Sequence, residues 1–180
     1  MIKIQDLKTE RLELKKLSMK DFDDYVEWRS QSEYHNFLPS KPKTLKEYKK
    51  SFKKVIKDYN NKQEPTLIWG LFYHNKLIGS VAIEDWNITH GYCELGWGLN
   101  PAFQKHGFAN EACVAVIDYI FNVLNMNRIA AFVWEGNKAS KTLAEKLGFV
   151  YEGTDRKARF KNGKFLDVYC YGLLKSEWKK

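Results

Sequence analysis

Hydrophobic and polar residues alternate in several stretches of the chain, and this alternation predicts half-buried β-strands. The first such stretch covers residues 12–15 near the N-terminus. The other predicted strands are residues 66–73, 76–85, 92–99, 128–134, 149–160 and 165–174. His74-Asn75 joins two of them, and Asn162-Gly163 separates the last two. Asn-Gly between two strands is a strong signal for a tight hairpin.

Helical spacing of hydrophobic residues predicts α-helices between these strands. Ser18 with Asp21 opens a helix that runs to about residue 31, since the two residues form a capping box. Pro39 and Pro42 then break the chain. A third helix is expected after Gly107, and a fourth over residues 138–146.

A second capping box, Thr44 with Glu47, starts a lysine-rich helix that extends to about residue 61. One face of this helix carries the hydrophobic residues Leu45, Tyr48, Phe52, Val55, Ile56 and Tyr59. The lysines therefore form the solvated face of an amphipathic helix.

The predicted order is a strand, two helices, three antiparallel strands, a helix, a strand, a helix and a hairpin. This order indicates an α/β fold with a mixed, mostly antiparallel sheet flanked by helices. A ligand gripped at the central strand–turn–helix would extend into the crevice where the two central strands part.

The composition narrows the class of protein. The chain has 180 residues, of which 44% are hydrophobic, so we expect a single domain over residues 1–180. No apolar run approaches the ~20 residues of a membrane span, and residues 1–6 lack the apolar core of a signal peptide. We therefore expect a cytoplasmic protein with no membrane partner. Cys93, Cys113 and Cys170 lie in apolar patterns, which favours buried thiols over disulfides or zinc ligands.

The formal net charge of +8 is compatible with a nucleic acid, an anionic cofactor or an acidic protein surface as partner. No HExxH motif or carboxylate cluster indicates a metal. The charge alone therefore does not choose among these partners.

The turn at residues 104–109 is a candidate anion site. It lies between a predicted strand and a predicted helix, where backbone N–H groups lack helical partners and the helix dipole is positive. Gly107 allows a phosphate to come close to the backbone, and Ala109 keeps the next approach narrow.

Several segments together resemble the GCN5-related N-acetyltransferases. They are residues 95–101, the motif Gln104-x-x-Gly107-x-Ala109, the block Asn137-x-x-Ser140, and Lys146-Leu147-Gly148-Phe149. Residues 7–14 also resemble the start of the branch that acetylates the α-amine of alanine or serine in ribosomal proteins. The segments occur in the family's order over nearly the whole chain. The resemblance implies the family's fold, with strands that splay at the centre, and acetyl-CoA as cofactor.

The resemblance also implies which residues hold the cofactor. The backbone amides of Lys105, His106, Gly107, Phe108 and Ala109 would hold the pyrophosphate. Gln104 would lie at the entrance, and backbone groups of Trp97, Gly98 and Leu99 would pair with the pantetheine arm. A β-bulge at these three residues is expected to aim one N–H at the thioester oxygen. Gly98 and Lys105 depart from the family pattern, since many relatives carry a bulky apolar residue at the first position and a small one at the second.

The chemistry requires a base for the amine and an acid for the departing thiolate. Glu94 is the first candidate for the base, through a water molecule, and Glu84 the second. Many relatives place a tyrosine acid where this chain has Ala144, so Ser140 is the candidate acid. Asn137 is interpreted as both a helix N-cap and a contact for coenzyme A.

We therefore predict an N-acetyltransferase that works by direct attack of a primary amine. The leading acceptor is the N-terminal α-amine of a ribosomal protein, and the alternative is a small amine such as a polyamine, an amino acid or an antibiotic. No nucleic acid is required, and a monomer and a homodimer are both compatible with the sequence. Two other classes of function remain. One is a catalytically silent acetyl-CoA sensor. The other is an RNA-binding module, since residues 107–109 faintly resemble the RNP1 motif of such modules.

Overall fold

A computed structural model describes residues 4–38, 40–61 and 67–179, and in this part of the chain eight strands form one sheet. In chain order the strands are β1 (Leu7–Lys8), β2 (Glu13–Lys15), β3 (Leu67–Tyr73), β4 (Lys76–Asn87), β5 (Tyr92–Leu99), β6 (Arg128–Trp134), β7 (Val150–Lys161) and β8 (Lys164–Leu174). Their order in the sheet is β1-β2-β3-β4-β5-β6-β8-β7. Only β5 and β6 are parallel among the neighbouring pairs of these strands. The predicted mixed α/β fold is confirmed.

Four α-helices flank this sheet within the described residues. They are α1 (Phe22–Arg29), α2 (Leu45–Asp58), α3 (Phe108–Asn122) and α4 (Lys138–Lys146). Short 3-10 turns cover Met19–Asp21, Ser32–His35 and Pro101–Phe103. None of the helices in the described ranges is long and apolar enough to cross a membrane.

The predicted helix and turn signals match the structure closely. Both capping boxes are formed, at Ser18 with Asp21 and at Thr44 with Glu47. Gly148 has a φ of +88° at the end of α4. Its N–H donates to the Glu145 carbonyl while the next N–H, of Phe149, donates to Ala144, which is the Schellman arrangement that ends a helix. The strand starts predicted at residues 66 and 149 are Leu67 and Val150 here, and residue 66, like Pro39, lies outside the described residues.

The first helix is shorter than predicted. The sequence predicts a helix from residue 18 to about 31, but α1 ends at Arg29. The carbonyl of Arg29 accepts hydrogen bonds from the side chains of His35 and Tyr48. The Gln31 side chain donates to the Glu27 carbonyl at 3.2 Å, which is the acceptor that the N–H of residue 31 would use in a continuing helix, and the Gln31 backbone is extended with a ψ of 134°.

Two groups of buried side chains stabilise the fold. The larger lies between the sheet and α3, whose Cys113, Val116, Ile117 and Ile120 are fully buried. The smaller lies beneath α1 and α2 and consists of Leu17, Tyr25, Tyr48, Phe52, Phe72 and Leu77. The apolar face predicted for α2 is buried at Tyr48 and Phe52. The prediction is wrong for Leu45, which lies at the helix start and is 63% exposed.

The thiols only partly follow the sequence prediction. Cys93 and Cys113 are buried as predicted, and burial raises the pKa of Cys93 to about 12. Cys170 is only half-buried, although its neighbours Val168 and Tyr171 on β8 are buried, so the prediction is wrong for this thiol.

The two central strands separate soon after they pair. β5 and β6 are paired only from Tyr92 opposite Arg128 to Glu94 opposite Ala130. Beyond this point β5 stays with β4 as far as Leu99, while β6 stays with β8 as far as Trp134. The sheet therefore opens into a crevice at its centre, as the sequence predicts.

Candidate active site

A cavity of about 450 Å³ lies in the crevice between β5 and β6. Its walls come from β4 and β5 on one side, from β6 and the start of α4 on the other, and from the segment that follows α1. Six of the residues singled out in the sequence line it, namely Glu84, Glu94, Trp97, Gly98, Asn137 and Ser140. The structure thus brings both candidate bases and the candidate acid into one cavity. Leu99 and residues 104–109 do not line it.

The loop before α3 has the backbone geometry of an anion site. Gly107 is the N-cap of α3 with a φ of +83°, and Lys105 also has a positive φ of +66°. The N–H groups of residues 105–109 donate to no acceptor among the described residues. The side chains of Gln104, Lys105 and His106 are exposed, whereas the Phe108 ring is buried. An anion at this loop would therefore meet backbone donors with the positive side chain of Lys105 beside them.

A clamp from the N-terminal segment holds this loop, and we name it the Arg11–Glu111 clamp. Arg11 donates from Nη1 to the carbonyl of His106 at 3.0 Å and from Nε to Glu111 at 2.7 Å. Thr9 donates its hydroxyl to the same Glu111 carboxylate at 2.5 Å. Burial acts to raise the pKa of Glu111, but the hydrogen bonds from Thr9 and Arg11 outweigh it and the pKa is lowered. Sequence spacing does not predict this contact of residues 9 and 11 with the loop and with α3.

Replacing Arg11 by alanine is expected to weaken acetyl-CoA binding by roughly tenfold. The variant loses charge-assisted hydrogen bonds that hold the loop in position, and the loss of such a bond costs about 1.5–3 kcal/mol. Arg128→Ala is the matched control, since Arg128 also makes a bidentate pair with a glutamate, Glu152, but away from this loop. Calorimetric titration with acetyl-CoA measures both. Equal affinities for the two variants would show that the Arg11–Glu111 clamp has no part in shaping the loop.

The bulge expected at residues 97–99 is absent. The pairing of β4 with β5 is regular from Gly79 opposite Leu99 to Glu84 opposite Glu94, and the register shifts only between Glu84 and Asn87. A side chain on Gly79 would begin 2.5 Å from the Gly98 carbonyl oxygen. The glycine therefore lets the two backbones approach without an extra residue.

The small size of Gly98 has a clear structural reason. A Cβ atom built on Gly98 would lie 2.9 Å from the hydroxyl oxygen of Tyr34. The Tyr34 side chain therefore fills the space that a side chain at position 98 would need. Burial is the main cause of its raised pKa, which keeps the phenol neutral at physiological pH.

Glu94 is a half-buried carboxyl group with neighbours of the same charge. Burial, followed by the charges of Asp85 and Glu84, raises its pKa above the ordinary value. The Tyr92 hydroxyl donates to its Oε1 at 3.4 Å and acts in the opposite direction. A carboxylate with a raised pKa is a stronger base than an ordinary one.

Ser140 lies in the first turn of α4, opposite β5 across the crevice. Its N–H donates to the Asn137 side chain at 3.1 Å, so the predicted N-cap is confirmed. The Ser140 hydroxyl makes no hydrogen bond to any residue in the described ranges and lines the cavity. The hydroxyl is therefore not occupied by the backbone, as it would be in a purely structural serine.

Sequence reasoning missed the third wall of the cavity. Arg29, Tyr34, Phe37, Leu38 and Ser40 belong to the end of α1 and the segment after it. Lys161 at the end of β7 holds this segment by donating to the carbonyls of His35 and Leu38. These contacts join residues more than 120 positions apart, and no local pattern in the sequence indicates them.

The chain is similar in sequence and in fold to known proteins. A family model described as an acetyltransferase (GNAT) domain matches residues 11–150. The chain belongs to this GNAT acetyltransferase family. An uncharacterized N-acetyltransferase, YnaD of Bacillus subtilis, is 31% identical over 94% of this acetyltransferase and 97% of its own length. A putative ribosomal N-acetyltransferase of the same organism, YdaF, is 33% identical over 61% of this chain and 60% of its own.

One solved structure bears on the ligands. Spermidine N-acetyltransferase from Vibrio cholerae, in complex with CoA and spermine, superimposes with a TM-score of 0.80 and 25% identity, over 93% of this acetyltransferase and 97% of that chain. Acetyltransferases of this family use acetyl-CoA. The unpaired amides of residues 105–109 at the start of α3 fit the pyrophosphate of that cofactor.

Proposed function

We propose that this acetyltransferase transfers the acetyl group to the N-terminal α-amine of a protein, most directly a ribosomal protein. The observation that carries the proposal is that Glu94, with its raised pKa, and Ser140, with its unengaged hydroxyl, line one cavity. The relatives support an amine acceptor of either kind, since one is named as a putative ribosomal enzyme and another acts on spermidine.

The α-amine is favoured because of its proton chemistry. An α-amine has a reference pKa of about 7.7–8.0, whereas a lysine ammonium has one of about 10.4. A usable fraction of the former is therefore already neutral near pH 7, and little help from a base is needed. The α-amine is therefore the acceptor that asks least of Glu94 and Glu84, the two candidate bases of the cavity.

The residues of the cavity then have distinct roles. Acetyl-CoA supplies the acetyl thioester when it is bound at residues 97–99, 104–109 and Asn137. Glu94 takes up the proton that the ammonium group of the acceptor loses, through one water molecule. The Ser140 hydroxyl gives its proton to the sulfur as the carbon–sulfur bond breaks, and it regains a proton from the nitrogen, which loses its second proton as the amide forms. The carbonyl carbon thereby passes directly from sulfur to nitrogen with no acyl group on the enzyme.

The pH dependence of turnover distinguishes the two carboxylates. Glu94 accepts a proton only when ionised, so kcat falls as the pH drops through its raised pKa. Glu84→Gln removes one of the charges that raise this pKa, and we expect the acid limb of kcat to move to lower pH. Tyr92→Phe removes a hydrogen bond that lowers the pKa of Glu94, so the acid limb of kcat for this variant moves to higher pH. Loss of activity in Glu84→Gln with retention in Glu94→Gln would make Glu84 the base.

The choice of acceptor is tested by thiol release at saturating acetyl-CoA. We expect a peptide that begins with alanine or serine to be faster than the same peptide with a blocked α-amine and an internal lysine. Spermidine is the third acceptor. Faster release with the blocked peptide or with spermidine would refute the α-amine preference and leave the acetyltransferase activity intact.

The other function classes make different demands. An RNP1 motif requires a strand, but Phe108 and Ala109 lie in α3, so the RNA-binding interpretation is wrong for these residues. A silent acetyl-CoA sensor would bind the cofactor and release no thiol with any amine. The same assay therefore separates enzyme from sensor.

A further inference from the structure

Arg29 lies in the wall of the cavity between β5 and β6 and is a cation without a carboxylate partner among the described residues. It forms no ion pair with any Asp or Glu that the structure describes. Its guanidinium makes one long hydrogen bond, from Nη2 to the Ser80 hydroxyl at 3.4 Å, and its Nε–H is buried without a partner. A half-buried charge is usually paired, because desolvation of an unpaired charge is costly.

Contacts to both the side chain and the backbone carbonyl hold Arg29 in position. Its guanidinium carbon lies 4.6 Å from the centre of the Tyr25 ring, 5.1 Å from that of Trp28 and 5.4 Å from that of Tyr34. Its carbonyl is held by His35, whose Nε2 lies 2.6 Å away, and by the Tyr48 hydroxyl. The aromatic rings stabilise the charge over their faces but accept no hydrogen bond from its N–H groups in the plane.

Resting on the proposed function, we propose that Arg29 binds a carboxylate of the acceptor and that Ser80 assists it. The guanidinium offers planar paired donors, which match the two oxygens of a carboxylate. A bound carboxylate would also supply the charge partner that the described residues lack. A polyamine would instead place a second positive charge beside Arg29, which is unfavourable.

The distance between Ser80 and Glu84 along β4 indicates which kind of acceptor carries the carboxylate. Ser80 and Glu84 lie four residues apart on this strand, so their Cα atoms are roughly 13 Å apart. The amine is held at the Glu84–Glu94 end and the carboxylate at the Ser80 end. In a free amino acid the nitrogen and the carboxyl carbon are only roughly 2.5 Å apart. An acidic side chain at the second or third residue of a peptide spans the distance far better, since two extended residues cover about 7 Å before the side chain begins.

The experiment compares peptide acceptors in pairs. Peptides with a free N-terminal serine carry glutamate at the second or the third residue, and their partners carry glutamine there. Free glutamate and spermidine complete the series. We expect a KM at least about tenfold lower for the glutamate peptides, with kcat little changed, because a charge-assisted hydrogen bond to the acceptor is lost in the glutamine peptides.

Variants show whether Arg29 causes this preference. In Arg29→Gln the KM of the glutamate peptides is expected to rise to that of the glutamine peptides, while the glutamine peptides keep their wild-type KM. Arg156→Gln is the control with the same change of charge at an exposed position on β7. A purely structural Arg29 would instead raise both values together. If Arg29→Gln does not fold, Arg29→Lys takes its place, since lysine keeps the charge but lacks the planar paired donors, and the KM of the glutamate peptides is again expected to rise.

Each outcome has a definite meaning. Equal KM values for glutamate and glutamine peptides overturn the carboxylate site while the α-amine proposal stands. Turnover of spermidine with no turnover of peptides overturns both. Turnover of free glutamate alone overturns the peptide acceptor and the spacing argument but retains carboxylate binding. No turnover with any acceptor overturns both proposals.

Discussion

Replacing Gly107 by glutamate is expected to lower acetyl-CoA affinity by at least about 100-fold and to leave the protein folded. The residue is the N-cap of α3, with a φ of +83°. A side chain in this left-handed conformation costs about 1–2 kcal/mol in backbone strain. A Cβ built on Gly107 lies 3.4 Å from Nη2 of Arg11, so the new carboxylate would compete with Glu111 for Arg11 and would add a negative charge at the loop whose unpaired amides fit the pyrophosphate.

The matched control is Gly163→Glu. Gly163 lies in the β7–β8 hairpin with a φ of +78°, and nothing lies within 4 Å of a Cβ built there. This variant carries the same strain and the same charge away from the crevice. Its affinity should equal that of the wild type by calorimetry, and circular dichroism establishes that both variants are folded. A folded Gly107→Glu protein with unchanged affinity would show that acetyl-CoA does not bind at this loop.

Ser140→Ala is expected to lower kcat by about 100-fold or more, with a change of less than about threefold in the dissociation constant of acetyl-CoA. The reason is that a proton on the departing sulfur matters only as the bond breaks, so its loss affects the transition state and not the ground state. Rapid-mixing measurement of thiol release at saturating substrates gives kcat, and titration gives the dissociation constant.

Thr142→Ala is the control for Ser140→Ala. Thr142 is an exposed hydroxyl residue on the same helix, α4, and does not line the cavity. Its removal should leave both kinetic constants near their wild-type values. If Ser140→Ala mainly weakens acetyl-CoA binding, Ser140 is a binding residue and the proton must come from elsewhere.

Local signals in the sequence predict most of the fold because they act over a few residues. Capping boxes, the glycine after α4 and the Asn162-Gly163 turn each determine a boundary through their own backbone conformations. The extension of β4 to Asn87 is different. The strand continues past the predicted end at residue 85 because an irregularity after Glu84 restores its pairing, with Asn87 opposite Tyr92.

The candidate site divides in the same way. The anion loop and the block around Ser140 are continuous in sequence, so residue types and spacing predict them. The contacts of Arg29 with Ser80, and of Arg11 with Glu111, join residues 51 and 100 positions apart. Such contacts depend on how the helices pack over the sheet, and a single sequence carries no direct record of that packing.

The early separation of β5 and β6 has a consequence for aggregation. Unpaired strand edges are templates on which foreign chains can pair, and this sheet has four instead of two. At the outer margins β1 is only two residues long, and β7 carries Arg156, Lys157 and Arg159 where its pairing is irregular. The two inner edges face each other across a crevice, where a second sheet has no room to dock. The unpaired backbone N–H and C=O groups of the two inner edges therefore line a crevice that a narrow chain can enter and a second sheet cannot.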